Sequence, residues 1–233
     1  MSVLPNDYDS DPDRFLSAEK NPHDDVHPYV AERFAAAGVR TVLDVGGGNG
    51  RLARLMPGLS MRCLLLDLSP TMLDLAPRPS ARADGARLPV ADASVDAVAA
   101  LYTLYHYDDP RVPIREARRV LRPGGMFAAC AANRDSDPEL ARVIPGWGGA
   151  STFDGADAAA IVAAVFAAPG DMVQADPWDG PLVTLTSVPD AVACLRVYGL
   201  AEADAAAASA TLDLPLTLTK RGCVVYATKD SAR

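Results

Sequence analysis

The stretch "VLDVGGGNG", Val42 to Gly50, decides how this chain is read. A run of β-formers, apolar on both faces, enters three consecutive glycines, and "NGRLARLM" then takes up helical spacing. A strand of that kind fits a parallel sheet covered on both sides. Glycines in series mean that something approaches too closely for a side chain, either a tight corner of the chain or a small ligand lying on bare peptide. Strand, glycine turn and helix N-terminus together form the arrangement that seats a cofactor at the carboxyl end of parallel strands.

The pattern repeats outward from there. "MRCLLLDLS" (61–69) reads as a second strand, with a helix from Pro70 and Ser69 as its N-cap. A short third strand ends near Asp84, and "SVDAVAALYTL" (94–104) supplies a fourth. "DPRVPIREARRVLRPGG" is an amphipathic helix with Ile114, Ala117 and Leu121 on one face, stopped by Pro123-Gly124-Gly125, and "MFAACAA" (126–132) is a fifth strand. Alternating strands and helices over this length predict a doubly wound, mostly parallel α/β sheet.

The flanks read differently. Residues 1–37 form an N-terminal arm or lid: a polar, turn-rich stretch, then a helix in "HPYVAERFAAAG" that stops at Gly38. The core runs over 38–132. Residues 133–213 hold both tryptophans (Trp147, Trp178), an Ala-rich helix near 156–168, a strand at 181–187 and a helix in "VPDAVACLRVYG"; this region is expected to build a small cap that binds an acceptor. Residues 214–233 close the core as an antiparallel hairpin around Lys220-Arg221-Gly222.

Composition narrows the class. The 233 residues suit one large α/β domain with a cap. Acidic residues outnumber basic ones, 30 to 22, and the arginines are scattered, so no nucleic-acid partner is expected. Cys63, Cys130, Cys194 and Cys223 are far apart and lie mostly in apolar runs, which reads as reduced thiols in a cytoplasmic protein. The acidic "MSVLPNDYDSDPDRF" is not a signal peptide, no apolar run approaches a membrane span, and no Cys/His/Asp cluster has metal-ligand spacing.

Two cofactor threadings fit the glycine loop. The dinucleotide pattern G-x-G-x-x-A runs through Gly48, Gly50 and Ala53, but such a match alone carries little weight. The other is Asp44-x-Gly46-x-Gly48-x-Gly50, with an acid inside the strand. Here the sequence resembles the class I S-adenosylmethionine-dependent methyltransferases of the small-molecule type, related to the ubiquinone and menaquinone C-methyltransferases. Four segments carry the resemblance in order: "LDVGGGNG", "LLLDLSPTML", "ADGARLPVADASVDAV" and "IREARRVLRPGG". It spans about 38–132 and the final strands, and implies a seven-stranded Rossmann-like sheet with a C-terminal antiparallel hairpin.

The resemblance implies that Asp44, Gly46, Gly48 and Gly50 surround the cofactor's amino-acid end. Asp67 would accept from the ribose hydroxyls, with Leu68 beside it. Asp84 and Gly85 would flank the adenine, and Leu101 and Tyr102 would line the site. These roles suit S-adenosylmethionine, which has no pyrophosphate and carries a sulfonium that a carboxylate-rich strand edge favours. Plainer readings stand beside them: Asp44 bonds loop amides, Asp67 caps the following helix, Asp92 and Asp96 are surface turn residues, and Arg115, Glu116, Arg118 and Arg119 form a solvated helix face.

Acceptor-positioning groups should come from "LYTLYHYDDP" (101–110), which lacks the Asn/Asp-Pro-Pro-Tyr motif of nucleic-acid and protein amide methylators. His106 is the candidate general base, with pocket wall as the alternative; Tyr102, Tyr105 and Tyr107 line the pocket or pack; His23 and His27 close over the site from the arm. The expected activity is methyl transfer to O, N or C of a small metabolite in specialised or cofactor biosynthesis, by a monomer or homodimer, with no membrane partner. The rivals are a nicotinamide-dependent oxidoreductase, a non-methylating S-adenosylmethionine enzyme, and a cofactor-binding regulatory protein.

Overall fold

The computed structural model of the chain describes residues 7–16 and 25–231; His23 lies outside them. These residues form two compact units. The larger holds Val26–Asn133, Ser151–Pro177 and Gly222–Arg233, and the smaller holds the described N-terminal residues, Arg134–Ala150 and Trp178–Arg221.

The larger unit begins with α2 (His27–Ala36), after α1 (Pro12–Leu16) of the smaller. Then come β1 (Thr41–Val45), α3 (Arg51–Leu55), β2 (Arg62–Asp67), α4 (Pro70–Leu75), β3 (Ser80–Arg82), β4 (Val95–Leu101), α5 (Arg111–Val120) and β5 (Leu121–Ala132). After β5 follow α6 (Ala158–Ala163), β6 (Met172–Leu185), α7 (Val188–Val197), α8 (Glu202–Ser209) and β7 (Leu216–Thr228). The sheet order is β3-β2-β1-β4-β5-β7-β6. Strands β1 to β5 pair in parallel, and β7 pairs antiparallel with β5. This is the seven-stranded, mostly parallel sheet with its C-terminal antiparallel arm.

The hairpin's position differs from expectation. Lys220, Arg221 and Gly222 lie inside β7, because Gly222 pairs with Ala132 as the last rung of the β5 ladder. The arms of the antiparallel hairpin are β6 and β7. Likewise α5 ends at Val120, ahead of the Pro-Gly-Gly sequence, and Leu121 already pairs with Val95. The ladder shifts register between Val95 and Ala97, which takes up the extra residues.

Asp96, expected on a surface turn, is instead a clamp within β4. Its Oδ2 accepts the amides of Arg40 and Thr41 and the Thr41 hydroxyl, while Oδ1 meets Arg122. The face of α5 is not merely solvated either. Arg119 pairs with Glu116 and Asp92 and donates to the carbonyls of Leu88 and Val90, while Glu116 accepts the Leu88 amide. These bonds hold the segment that follows Asp84. The core of this unit joins Leu43, Val98, Ile114, Phe127, Phe153 and Val225, all essentially without solvent exposure.

The smaller unit has its own apolar cluster around Leu140, Leu195, Leu200 and Leu218. Residues 12–16 of the expected arm belong to it: the buried Arg14 side chain donates to the carbonyl of Arg196 at the end of α7. Trp147 stands edge-on to Tyr198, with ring centroids 5.2 Å apart. Asp137 is fully buried, with Lys220 at 2.8 Å and the Tyr198 hydroxyl on the same oxygen.

None of the four cysteines is in a disulfide, and two of them are buried. Among the described residues no helix is long and apolar enough to cross a membrane, and no cluster of His, Cys, Asp and Glu could hold a metal ion.

Candidate active site

The carboxyl ends of β1, β2 and β4 bring most of the candidate residues together. In register, Asp44 faces Leu65 on one side and Ala99 on the other, so it sits in the middle of the sheet. Asp67 ends β2, and the loop after β4 begins at Tyr102.

The three glycines have three different reasons. A Cβ on Gly46 would stand 2.1 Å from the Thr103 hydroxyl oxygen, and one on Gly47 would stand 2.6 Å from Asp44 Oδ2. Gly48 is different: a Cβ there would meet nothing within 4 Å, yet φ is +56°. Two of the glycines therefore make room for the protein's own side chains, and Gly48 is the one that faces open space. Gly50 (φ +90°) packs against Pro77 and Leu65 and leads into α3.

Asp44 is the electrostatic anomaly of the site. It is 2 % exposed, and its Oδ2 has no hydrogen-bond partner. Burial, helped by the negative charge of Asp67, pushes its pKa up to about 7. A buried carboxylate lacking a partner is costly, and a cation placed beside it removes that cost.

Asp67 holds the loop. Its Oδ2 accepts the Gly48 amide at 2.8 Å and its Oδ1 accepts the Ser69 amide at 2.8 Å. The cap of α4 is Ser69, whose hydroxyl accepts from Met72. Each Asp67 oxygen retains a further lone pair for a ligand hydroxyl. The Asp67 charge is also felt at His106 and Tyr107. Leu68 beside it is 51 % exposed, an apolar surface open to a ligand.

Further along, Asp84 Oδ1 accepts the Ala86 amide at 2.8 Å. Gly85 is packed under the Tyr107 hydroxyl: a Cβ there would stand 2.6 Å from its oxygen. Leu101 is buried at the end of β4. Tyr102 adopts φ +54°, a left-handed conformation that a tyrosine seldom takes and that is typical of functional loops. His106 closes the short 3-10 turn Leu104–His106, its ring centroid 4.5 Å from that of Tyr105. Burial lowers its pKa, and Asp67 opposes the shift. His27 lies at the start of α2.

Sequence reading missed Thr103, which is buried against Gly46. A small hydroxyl residue just after a strand gives no signal of a partner that is 57 positions earlier in the chain.

An Asp67→Ala variant should bind S-adenosylhomocysteine about 10–100-fold more weakly, as hydrogen bonds to a charged acceptor are lost and the Gly48 amide is released. Calorimetry checks this, and unchanged affinity would remove Asp67 from the site.

Residues 43–129 match the methyltransferase domain family. Over 127 residues the chain is 38% identical to an uncharacterized methyltransferase of Mycobacterium sp. (strain JLS), a match covering 50% of this chain and 49% of that one. Over 116 residues it is 35% identical to a ubiquinone biosynthesis O-methyltransferase of Xanthomonas oryzae pv. oryzae (strain PXO99A), covering 46% and 48%. The chain thus spans about half the length of the curated relatives it matches. Among solved structures, the [4+2]-cyclase SpnF superposes with a TM-score of 0.67 at 19% identity, covering 99% of this chain and 100% of that one. The YcgJ protein of Bacillus subtilis gives 0.64 at 17%, covering 88% and 100%. By its matched segment, residues 43–129, the chain resembles the methyltransferase domain family, and by its strand order it shares the fold of these solved neighbours.

Proposed function

We propose that this protein binds S-adenosylmethionine at the β1–β2–β4 edge and methylates O, N or C of a small metabolite, in specialised or cofactor biosynthesis. The observation that carries the reading is the pair of acids at this edge: Asp44 buried with an orphan oxygen, and Asp67 bonded to the Gly48 amide. When bound, the cofactor supplies an electrophilic methyl group on a sulfonium. Asp44 would neutralise its cationic end, Asp67 would accept from its ribose, Leu68 would cover its base and Asp84 would accept from the amino group of that base.

The chain's own contribution to the reaction is placement and exclusion of water. In-line displacement gains most of its acceleration from holding the acceptor collinear with the breaking bond. His106, kept largely neutral at pH 7 by its lowered pKa, is able to take a proton from an acidic acceptor. Residues 133–213, with both tryptophans, are the candidate for acceptor selection.

The dinucleotide reading fares worse. The Gly48 amide, which would have to donate to a pyrophosphate, is occupied by the Asp67 carboxylate, and Gly50 is packed on Pro77. A non-methylating use of the same cofactor site is the second reading, since the fold neighbour SpnF is described as a [4+2]-cyclase. Thermal-shift titration with S-adenosylhomocysteine, NAD and NADP decides the cofactor; mass spectrometry of candidate metabolites then decides the methyl transfer. Stronger stabilisation by a dinucleotide would overturn the assignment.

Asp44 makes the site pH-dependent. Its folded pKa of about 7 lies above the ordinary 3.8, so between these values the folded chain keeps a proton that the unfolded chain has lost. Its contribution to stability is full below about pH 4 and is lost as pH rises through 7. The α-ammonium group of S-adenosylhomocysteine, placed beside Asp44, favours the ionised form, so affinity for this ligand should climb as pH rises toward 7, with proton release on binding. Calorimetry in buffers of different ionisation enthalpy measures that release. Asp44→Asn should abolish it; persistence of the same release would mean that another group titrates.

A further inference from the structure

Asp137, like Asp44, is a buried acid with an orphan oxygen, and it belongs to the smaller unit. It is 0 % exposed. Its Oδ2 accepts from the Lys220 ammonium at 2.8 Å and from the Tyr198 hydroxyl, and Lys220 also donates to the Tyr198 oxygen at 3.4 Å. Its Oδ1 has no hydrogen-bond partner. The residue stands at φ +55°, left-handed without being a glycine. An orphan acceptor without exposure is costly, and buried polar groups are otherwise almost always paired.

Fastening the chain does not explain this carboxylate. The loop after β5 is tied to β7 without it: the Asp137 amide donates to the Thr219 carbonyl, Glu139 accepts the Thr219 amide and hydroxyl, and Ser136 Oγ accepts the Arg221 amide. Asparagine or glycine would meet the left-handed backbone as well, with no buried charge. Close by in the chain, Trp147 stands in "PGWGG" (145–149), between Gly146 at φ +71° and Gly148 at φ +74°. Its ring meets that of Tyr198 in a T-shape, and both side chains are only partly buried. A Cβ at Gly146 would meet nothing within 4 Å, so the turn that carries Trp147 is not wedged there.

We propose that Asp137, Lys220, Tyr198 and Trp147 form a binding site for a neutral aromatic ligand whose hydroxyl or amine donates to Asp137 Oδ1. The unused capacity of the cluster is an acceptor, so the ligand must donate. Lys220 already neutralises the carboxylate. A cationic ligand would therefore meet the ammonium on the sister oxygen, and an anionic one would meet the orphan oxygen itself. A neutral donor meets neither penalty. The aromatic part follows from the Trp147–Tyr198 pair, since T-shaped rings leave a face open to a third ring. Entry is by the Trp147 turn, because Asp137 itself has no exposure. None of the four residues serves in the cofactor reading, so the two stand or fall separately.

The test reads Trp147 fluorescence of the full chain in a Trp178→Phe background, where Trp147 is the only tryptophan. Phenol is the probe, compared with anisole (the same ring without the donor), benzylammonium and benzoate. Phenol should give a saturable change at about millimolar concentration, and each of the others should bind at least about tenfold more weakly. Asp137→Asn puts an amide in place of the carboxylate and should bring phenol and anisole within about twofold of each other, with a melting curve as the control for folding. Should that variant fail to fold, the four-compound series decides alone. No saturable response to phenol would mean that water alone satisfies Oδ1, and equal binding of phenol and anisole would mean a merely apolar surface. A phenol preference that survives in folded Asp137→Asn would put the partner of the donor elsewhere. Each of these three results overturns the proposal.

Discussion

A Gly48→Val variant is expected to lose cofactor binding by about 10³-fold or more while keeping its fold. The two halves of that expectation have separate causes. Within the protein a Cβ at Gly48 meets nothing within 4 Å, so no core contact is disturbed. The space it would enter is open, and the Gly48 amide beside it is bonded to Asp67. The φ of +56° adds backbone strain of roughly 1–2 kcal/mol for a residue with a Cβ, and more for a branched one. Relieving that strain would rotate the Gly48 amide off Asp67, so the loop and the acid beneath it would be misplaced together. Calorimetry with S-adenosylhomocysteine, with circular dichroism and a melting curve as the control, measures both halves. Gly46→Val provides the contrast. Its side chain would collide with Thr103, so its loss should be one of folding as much as of binding. A well-folded Gly48→Val protein with normal affinity would show that the loop does not hold the ligand.

How much of this was legible in the sequence follows from what each residue interacts with. The parallel strands were readable because the pattern of a strand buried on both faces is local, and Asp44 and Asp67 stood out as acids, one inside such a strand and one at its end. Ser69 was readable as a cap because a cap bonds three residues ahead, to Met72. The meaning of the glycines was only half readable. "GGG" announces close approach, but the atoms that approach Gly46 and Gly47 come from Thr103 and Asp44. Tyr102 at φ +54° carries no glycine to advertise it. Asp96 reads as a turn residue because Asp92 and Ser94 stand close before it, and its bonds to Thr41 exist only once β1 and β4 are paired. The Lys220-Arg221-Gly222 error has the same origin. Gly222 signals a turn in sequence, and a ladder across to Ala132 overrides that signal.

The remaining large effect belongs to His106. If the acceptor is a phenol or another hydroxyl that must lose its proton, His106→Ala should lower kcat by about 10²–10⁴-fold while leaving the affinity for S-adenosylhomocysteine nearly unchanged. The structure adds a sign to the pH profile. Burial lowers the imidazole pKa below its ordinary 6.5, against the opposing pull of Asp67, so the neutral base is already the main form at pH 7. Parent activity should therefore rise with pH through an inflection below 6.5 and be flat above it. An Asp67→Asn variant removes the charge that supports the imidazolium and should move that inflection further down. Asp44 also titrates, near 7, but its effect appears in cofactor affinity, so kcat at saturating cofactor isolates His106. With an amine or a carbon nucleophile as acceptor, no base is required, and the same substitution should cost tenfold or less through lost packing on Tyr105. A flat profile with a small loss would make His106 a wall of the site. A large loss in kcat, with the inflection abolished, would make it the base.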